Sequence, residues 1–251
     1  MNENAHDSVR KVHNGIMPES QDLKRSFEAL LMEGASSLGL TMEKKTVEML
    51  RGYGQEILFW NRSVNLVSAD TIGDLAVRHF LDSLTVLPLL PRKPFALLDM
   101  GTGAGLPGIP LKMVRPDAYV VLVDSSRKKQ SFLKEMIRHF SLDGIVAEQA
   151  RIEDWISRGI HRNAFDVVVS RAVFPLARFL ERSSSFVKET GAIIAMKGRS
   201  VREEIENAEK TVFEKNLALV KHLTFSLPFS HEERHLLVFR PAGRGGPELE
   251  L

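Results

Sequence analysis

The segment from residue 97 to residue 108 constrains the fold more than any other part of this chain. A short apolar run ends at Asp99, and glycines follow at positions 101, 103 and 105. Pro107 then opens an apolar-periodic segment, and proline suits a first helical position because its missing N–H costs nothing there. Glycine permits the positive φ angles and the close backbone approach that tight turns need. We therefore predict a strand, a glycine turn and a helix N-terminus whose N–H groups face a ligand.

Strand and helix patterns alternate from residue 95 onward. Apolar runs predict strands at 95–100, 119–123, 144–148, 165–170 and 191–196. Helical spacing predicts helices at 107–115, 126–140, 153–158, 175–188 and 200–215. Repeated strand–helix units imply an α/β, Rossmann-like parallel sheet with helices on both faces. Two last strands, at 217–227 and 235–240, are predicted to close the sheet as an antiparallel pair.

The chain before this alternation has a different pattern. Apolar residues at helical spacing predict three helices, at about 23–38, 41–60 and 70–87, the second capped by Thr41 and the third beginning at Asp70. We expect a disordered tail over 1–21 and an N-terminal helical portion over 22–93. A strand–helix domain over 94–240 and a flexible tail over 241–251 are expected to follow.

Composition excludes several classes of site. None of the 251 residues is cysteine, which excludes disulfides, thiolate metal sites and cysteine nucleophiles. No apolar run is long enough to span a membrane, and the polar N-terminus does not resemble a secretory signal. We therefore expect a cytoplasmic protein without a membrane partner, and by default a monomer.

The ends of the predicted strands indicate a cofactor, because ligands of such sheets bind beyond these ends. The first strand is followed by Gly101, Gly103 and Gly105, and the second ends at Asp124, whose carboxylate can accept hydrogen bonds from both ribose hydroxyls. Together they predict a nucleoside-containing cofactor, either a dinucleotide or S-adenosylmethionine (AdoMet). The dinucleotide fingerprint requires glycine where this chain has Leu106, so the spacing favours AdoMet.

Several motifs, taken together, resemble those of the glucose-inhibited division protein B family, the RsmG methyltransferases of bacterial small-subunit ribosomal RNA. They are Trp60-Asn61-x-x-x-Asn65-Leu66, Arg78-His79-Phe80-Leu81-Asp82-Ser83-Leu84, Asp99 through Pro110, Asp124-Ser125, Ser170-Arg171-Ala172, Lys197-Gly198 and Arg234-His235-Leu236. The resemblance implies a class I AdoMet-dependent methyltransferase that methylates N7 of guanine 527 in the 530 loop of 16S rRNA. It does not say whether the substrate is free rRNA or a 30S subunit or assembly intermediate.

The resemblance also implies roles for individual residues. Gly101 and Leu106 are expected to contact AdoMet, and Ile152 and Glu153 to flank and hold its adenine. Arg171 is expected at the AdoMet and substrate site. The remaining cofactor residues, Gly103, Gly105 and Asp124, are predicted from their positions in the fold alone.

Elementary chemistry agrees with this substrate. Guanine N7 carries an in-plane lone pair, so its methylation needs alignment and charge stabilisation rather than a general base. Methylation of pyrimidine C5 normally uses a cysteine nucleophile, which this chain lacks. We therefore predict no catalytic triad and no metal, with Arg171 as the candidate on the substrate side.

Two groups of basic residues are predicted to contact RNA phosphates, the alternative being a solvated surface. Cations in the first turn of a helix are electrostatically unfavourable there, because they oppose the helix dipole. Such an unfavourable placement at a ligand-facing edge of the sheet indicates a functional role. The first group lies in the predicted helix at 126–140, and the second follows the fifth strand; they are Arg127, Lys128 and Lys129, and Lys197, Arg199 and Arg202.

Some interpretations stay open. Arg78 and Asp82 are one helical turn apart and form either a surface pair or a contact that docks the helices on the sheet. His79 and His235 are expected to be structural, and Trp60 and Trp155 to be core or interface anchors. The functional alternatives are a methyltransferase for a protein or small molecule, a nicotinamide-dependent oxidoreductase and a non-enzymatic rRNA-binding assembly factor.

Overall fold

A computed structural model describes residues 26–69, 71–171, 173–199 and 201–243. The predicted N-terminal tail, the start of the third helix at Asp70 and the motif residue Ala172 lie outside the described residues. Most of the predicted tail at 241–251 lies outside them as well.

The N-terminal portion is helical, as predicted. Helix α1 (Phe27–Ser37) is capped by the Ser26 hydroxyl, which accepts a hydrogen bond from the N–H of Ala29 at 3.2 Å. Helix α2 is Lys44–Asn61. The prediction that Thr41 caps it is wrong, because the helix begins three residues later, after Glu43.

A third helical stretch connects this portion to the sheet. It consists of α3 (Ile72–Asp74), a π-helical segment (Leu75–Leu81) and α4 (Asp82–Leu84), followed by a short 3₁₀ turn at Leu87–Leu89. The Thr71 hydroxyl accepts a hydrogen bond from the N–H of Asp74 and so caps the start of α3. π-Helical turns commonly occur at functional sites, and this one carries Arg78 and His79.

The rest of the chain alternates strands and helices as predicted. The strands are β1 (Ala96–Met100), β2 (Tyr119–Asp124), β3 (Ile145–Gln149), β4 (Phe165–Arg171), β5 (Val187–Lys197), β6 (Leu217–Ser226) and β7 (Glu233–Pro241). The helices are α5 (Gly108–Val114), α6 (Arg127–His139), α7 (Ile152–Arg158), α8 (Leu176–Ser183) and α9 (Val201–Glu214). The helix predicted at 175–188 ends early, because residues from 187 onward already belong to β5.

The strands form one seven-stranded sheet in the order β3-β2-β1-β4-β5-β7-β6. The first five are parallel, and β7 inserts antiparallel between β5 and β6, which confirms the predicted closing pair. In this register Lys197, at the end of β5, is paired with His235 near the start of β7. The carboxyl ends of β4 and β5 therefore lie beside the loop that leads into β7.

The helical portion covers one face of this sheet. Its buried apolar residues form one continuous cluster with that face, including Tyr53, Phe80, Ile109, Leu122 and Phe132. A second cluster covers the other face, where Trp155 and Phe179 pack against the sheet. Because buried apolar area stabilises by about 25 cal/mol per Å², the shared cluster holds the helices firmly against the sheet.

Candidate active site

The loop after β1 has the conformation that its glycines predict. Gly101, Gly103 and Gly105 have φ angles of 73°, 61° and 78°, a region that other residues rarely adopt. A Cβ added at Gly101 would lie 2.8 Å from a methyl carbon of Val173. Glycine at position 101 therefore keeps open the passage between the end of β1 and the segment after β4.

The first backbone N–H of helix α5 is hydrogen-bonded to a side chain of the protein itself. One oxygen of Asp99, Oδ2, accepts hydrogen bonds from the Thr102 hydroxyl at 2.6 Å and from the N–H of Gly108 at 2.8 Å. Pro107 precedes α5 rather than beginning it. The prediction that this helix N-terminus faces a ligand is therefore wrong, because the buried carboxylate of Asp99 occupies the position that a ligand would take.

Asp99 itself is fully buried, and burial raises its pKa to about 6. The hydrogen bonds from Thr102 and Gly108 act in the opposite direction. Its second oxygen, Oδ1, has no hydrogen-bond partner within the part of the chain that the structure describes. Buried polar atoms are rarely left unpaired, so this loop holds an energetically costly group.

Tyr53 of helix α2 supports the glycine loop from beneath. Its hydroxyl donates a hydrogen bond to the carbonyl oxygen of Ala104, and its ring stacks between Phe80 and Phe132, with centroids 5.8 Å and 6.2 Å away. A Cβ added at Gly105 would lie 2.7 Å from the Tyr53 hydroxyl. Sequence reasoning missed this residue, since its apolar spacing in α2 gives no sign of a contact 51 positions away.

This contact determines which way the second half of the loop faces. Leu106 is 4% exposed and belongs to the apolar cluster shared with the helical portion, not to an open cavity. Neither it nor Gly105 lines the cavity above the loop. The predicted contact of both residues with AdoMet is thus not supported by their placement, because they pack against the helices.

A cavity of about 660 Å³ opens above the first half of the loop. It collects predicted cofactor residues from three consecutive strand ends: Gly101, Asp124, Ile152 and Glu153. Val173 and Phe174, from the segment after β4, form the opposite wall. This volume lies in the range of roughly 300–1,000 Å³ that is typical of cofactor clefts.

Asp124 is held at the floor of this first cavity. Its Oδ2 accepts a hydrogen bond from the N–H of Gly103 at 3.1 Å, and its Oδ1 accepts one from the N–H of Ser126 at 2.8 Å. Lys129 places its ammonium nitrogen 3.9 Å from Oδ2. The side chain of Asp124 is 12% exposed, and its oxygens retain lone pairs for further donors. Gly103 therefore contributes through this carboxylate rather than by lining the cavity.

The start of helix α7 forms the third wall. Ile152 is buried and presents an apolar side chain to the cavity. Glu153 forms ion pairs with Arg182 and Arg178, the latter at 3.8 Å. A hydrogen bond from its own backbone N–H lowers the pKa of Glu153, and the two guanidinium groups lower it further, so the side chain is ionised.

A second cavity, of about 420 Å³, lies beyond the ends of β4 and β5. Arg171 lines this cavity and not the first. Its Nη1 lies 3.2 Å from Oδ2 of Asp82, and its Nη2 lies 3.0 Å from Nδ1 of His79. Arg171 thus joins the end of β4 to the π-helical segment and α4, and its expected contact with AdoMet in the first cavity is not supported by this placement.

Asp82 is the centre of these contacts, with only 6% of its side chain exposed. Its Oδ1 lies 3.3 Å from Nε of Arg234, so two guanidinium groups share one buried carboxylate. Arg78 instead pairs with Glu232 at 3.0 Å. The interpretation of Arg78 and Asp82 as a surface pair is therefore wrong, and Asp82 docks the helices on the sheet.

His79 is neutral near pH 7, because burial and the neighbouring charges of Arg171 and Arg78 lower its pKa to about 4. A guanidinium group only donates hydrogen bonds, so Nδ1 of His79 must accept from Arg171. The neutral ring then carries its proton on Nε2.

The predicted RNA-binding residues occupy different environments. Arg127 and Lys128 are exposed in the first turn of α6, whereas Lys129 is half-buried against Asp124. Arg199 is exposed, and Arg202 is exposed beside Glu206 at 3.3 Å.

Lys197 is not a surface cation. Its side chain is 7% exposed, and its ammonium group lies 2.6 Å from both the Phe174 carbonyl oxygen and Oε2 of Glu204. Because both partners are internal, the prediction that Lys197 contacts RNA phosphate is not supported by its placement. Its position instead ties β5 to α9 and to the wall of the first cavity.

The residues expected to be structural are indeed packed. His235 is buried between Thr224, at 3.0 Å, and Glu233, at 3.1 Å. Trp155 is buried, and Trp60 is half-buried against Phe132. Over the described residues, no group of acidic or histidine side chains has the arrangement of a metal site, and no helix is long and apolar enough to cross a membrane.

Comparison with known proteins gives a consistent match. A model of the GidB family, described as rRNA small subunit methyltransferase G, matches residues 46–237. A ribosomal RNA small subunit methyltransferase G of Syntrophus aciditrophicus strain SB is 37% identical over 212 residues, which cover 84% of this chain and 88% of that protein. A protein of the same name from Acetivibrio thermocellus is 37% identical over 222 residues, covering 88% of this chain and 90% of that protein.

Solved structures agree on the fold. A ribosomal protein L11 methylase from Lactobacillus delbrueckii subsp. bulgaricus has a TM-score of 0.51 at 14% identity, over 66% of this chain and 79% of that chain. At this identity, the likeness concerns the sheet and its helices alone.

Proposed function

The chain belongs to the rRNA small subunit methyltransferase G family, and we propose that it transfers the methyl group of AdoMet to N7 of guanine 527 in the 530 loop of 16S rRNA. Its fold is that of class I AdoMet-dependent methyltransferases. One observation carries the proposal: Arg171 and Val173, two positions apart at the end of β4, line the second and the first cavity respectively. A methyl donor and an acceptor base would therefore lie side by side.

The first cavity fits AdoMet. Asp124 offers carboxylate lone pairs to the two ribose hydroxyls, and Ile152 offers an apolar surface to one face of adenine. Gly101 leaves the room beside Val173 that any Cβ would fill, which suits the methionine end of the molecule. When bound, AdoMet supplies an electrophilic methyl group on a sulfonium.

The two titratable side chains that contact Arg171 in the second cavity are not placed to remove a proton from the acceptor. The accepting nitrogen of His79 is occupied by Arg171, and both oxygens of Asp82 are occupied by guanidinium groups. Neither side chain is therefore a free general base. Guanine N7 needs none, because its in-plane lone pair is available at neutral pH, whereas an exocyclic amine or a ribose hydroxyl must lose a proton.

Exposed cations near the strand ends suit an RNA substrate. Arg127 and Lys128 are exposed at the start of α6, and Arg199 and Arg202 are exposed after β5. Each phosphate contact of this kind would add to affinity and to its dependence on salt. A ribosomal RNA substrate would also place the chain in the cytoplasm, and we expect it to act as a monomer.

The test uses 16S rRNA and 30S particles from cells that lack this protein. The purified chain is incubated with AdoMet carrying a labelled methyl group, and the RNA is digested and analysed by mass spectrometry. We expect one labelled N7-methylguanosine, mapped by reductive strand cleavage to the 530 loop. A label elsewhere in the RNA, on a ribosomal protein or nowhere would contradict the proposal, and comparison of free rRNA with 30S particles identifies the form that is methylated.

A further inference from the structure

Charged side chains of alternating sign line the second cavity as a continuous ion-pair network. Glu232 precedes β7, and its carboxylate lies 3.0 Å from Nη2 of Arg78 through Oε1 and 2.6 Å from Nη2 of Arg234 through Oε2. Arg234 extends this ion-pair network to the buried Asp82, with its Nε 3.3 Å from Oδ1 of that residue. The wall of the second cavity therefore carries the Glu232 carboxylate directly beside the Arg234 guanidinium group.

Glu232 differs from Asp82 in being accessible. Its side chain is 29% exposed, against 6% for Asp82. Hydrogen bonding from Arg234 lowers the pKa of Glu232, and the charges of that arginine and of Arg78 lower it further, so the group is ionised. A carboxylate has about four lone-pair positions, and the two arginines occupy only part of them. Glu232 can therefore still accept hydrogen bonds from a ligand.

We propose that Glu232 and Arg234 read the Watson–Crick edge of the target guanine, with the Glu232 carboxylate accepting from N1–H and the 2-amino group and the Arg234 guanidinium donating to O6. The inference rests on the proposed function, because it supplies the base recognition that N7 methylation of one nucleotide requires.

The chemistry of the two edges explains this assignment. The N7 lone pair must face the methyl donor, so the protein cannot hold guanine by its N7 and O6 edge as arginine usually does. The opposite edge offers two donors next to one acceptor. A carboxylate beside a guanidinium group, 2.6 Å apart here, is the complement of that pattern. Adenine presents an amine and a bare ring nitrogen on the same edge, which would meet the wrong partners.

The experiment combines a protein variant with a base analogue. The substrates are 30S particles reconstituted with 16S rRNA that carries either guanosine or inosine at the target position; inosine lacks only the 2-amino group. The enzymes are the wild-type chain, Glu232→Gln and the control Glu203→Gln, which changes an exposed glutamate in the first turn of α9. The readouts are kcat/KM for methylation and AdoMet affinity by calorimetry.

We expect Glu232→Gln to lower kcat/KM on the guanosine particle by roughly 10- to 100-fold, the range of one paired base contact, with AdoMet affinity unchanged. Inosine should impose a similar loss on the wild-type chain but little additional loss on the variant. The control should behave as wild type on both particles.

Equal losses on guanosine and inosine particles would mean that Glu232 only supports the fold, and would overturn the inference while leaving the N7 activity intact. Unchanged activity of Glu232→Gln would overturn it as well. If the wild-type chain does not methylate the guanosine particle at all, the proposed function fails, and this inference falls with it.

Discussion

Replacing Tyr53 by phenylalanine tests whether the N-terminal helices set the shape of the cofactor loop. The substitution removes one oxygen and its hydrogen bond to the Ala104 carbonyl while retaining the ring between Phe80 and Phe132. Burial, reinforced by the charge of Asp99, raises the pKa of Tyr53 well above its usual value. The hydroxyl is therefore a permanent donor over the working pH range.

The magnitude follows from the burial of both partners. Tyr53 is fully buried and Ala104 is 1% exposed, so water cannot replace the lost donor. Leaving a buried acceptor unpaired costs about 1–3 kcal/mol, and we expect the free energy of unfolding to fall by that amount. We expect much of this energy to be expressed in the loop, because Gly105 lies directly against the hydroxyl. A loss of 1–2 kcal/mol in loop order corresponds to roughly a 5- to 30-fold weaker affinity for AdoMet.

Calorimetric titration with AdoMet measures the affinity, and urea denaturation measures stability. Kinetics on 30S particles should show a raised KM for AdoMet and a kcat close to wild type, since no reacting group is removed. The chain offers a matched control in Tyr119→Phe, because Tyr119, its only other tyrosine, is 48% exposed at the start of β2. Wild-type AdoMet affinity in Tyr53→Phe would refute the reasoning, whatever its stability.

Three further predictions concern the same sheet edge. The pKa of Asp99 is raised in the folded state to about 6, so its contribution to stability is complete below the unfolded value of about 3.9 and is lost as the pH rises through 6. Asp99→Asn should therefore gain about 2–3 kcal/mol relative to wild type between pH 4 and pH 8 in urea denaturation, and a pH-independent difference would contradict this. Arg127→Glu with Lys128→Glu should weaken RNA binding and flatten its salt dependence in filter-binding assays, with AdoMet affinity unchanged; an unaltered salt slope would count against a phosphate contact. Gly101→Ala should weaken AdoMet binding at least tenfold, because the new Cβ would meet Val173 at a positive φ angle; a variant that titrates like wild type would show that the passage is not used.

Local patterns predicted the framework of this molecule well. The strand–turn–helix at 97–108 was predictable because alternating glycines and a bounded apolar run act within a few residues of one another. The antiparallel closing pair followed from two strand patterns without an intervening helix. Asp124 was found by the rule that parallel strands end at one edge, and it lines the first cavity together with Ile152, which the family resemblance implied.

Two of the wrong site predictions depended on packing partners that the local pattern does not show. Leu106 was expected at the cofactor, but it packs into the cluster shared with the helices. Lys197 was expected at RNA, but an acidic residue of α9 and a carbonyl after β4 enclose its ammonium group. Exposure cannot be read from a lysine or a leucine alone, because the same side chain is stable in either place when its partners are present.

The ion pairs of the second cavity depend on the tertiary structure, whereas the secondary structure around them follows from the sequence. The motif around Arg78 and Asp82 indicates a helix by its local spacing, Arg171 ends β4, and Arg234 lies near the start of β7. Nothing local says that Arg171 and Arg234 share the carboxylate of Asp82, 89 positions from the nearer of them. Secondary structure follows from interactions between near neighbours in the chain, which the sequence displays directly. The charge network exists only because sheet order and helix docking bring three distant segments to one edge, where the burial of Asp82 makes its pairings obligatory.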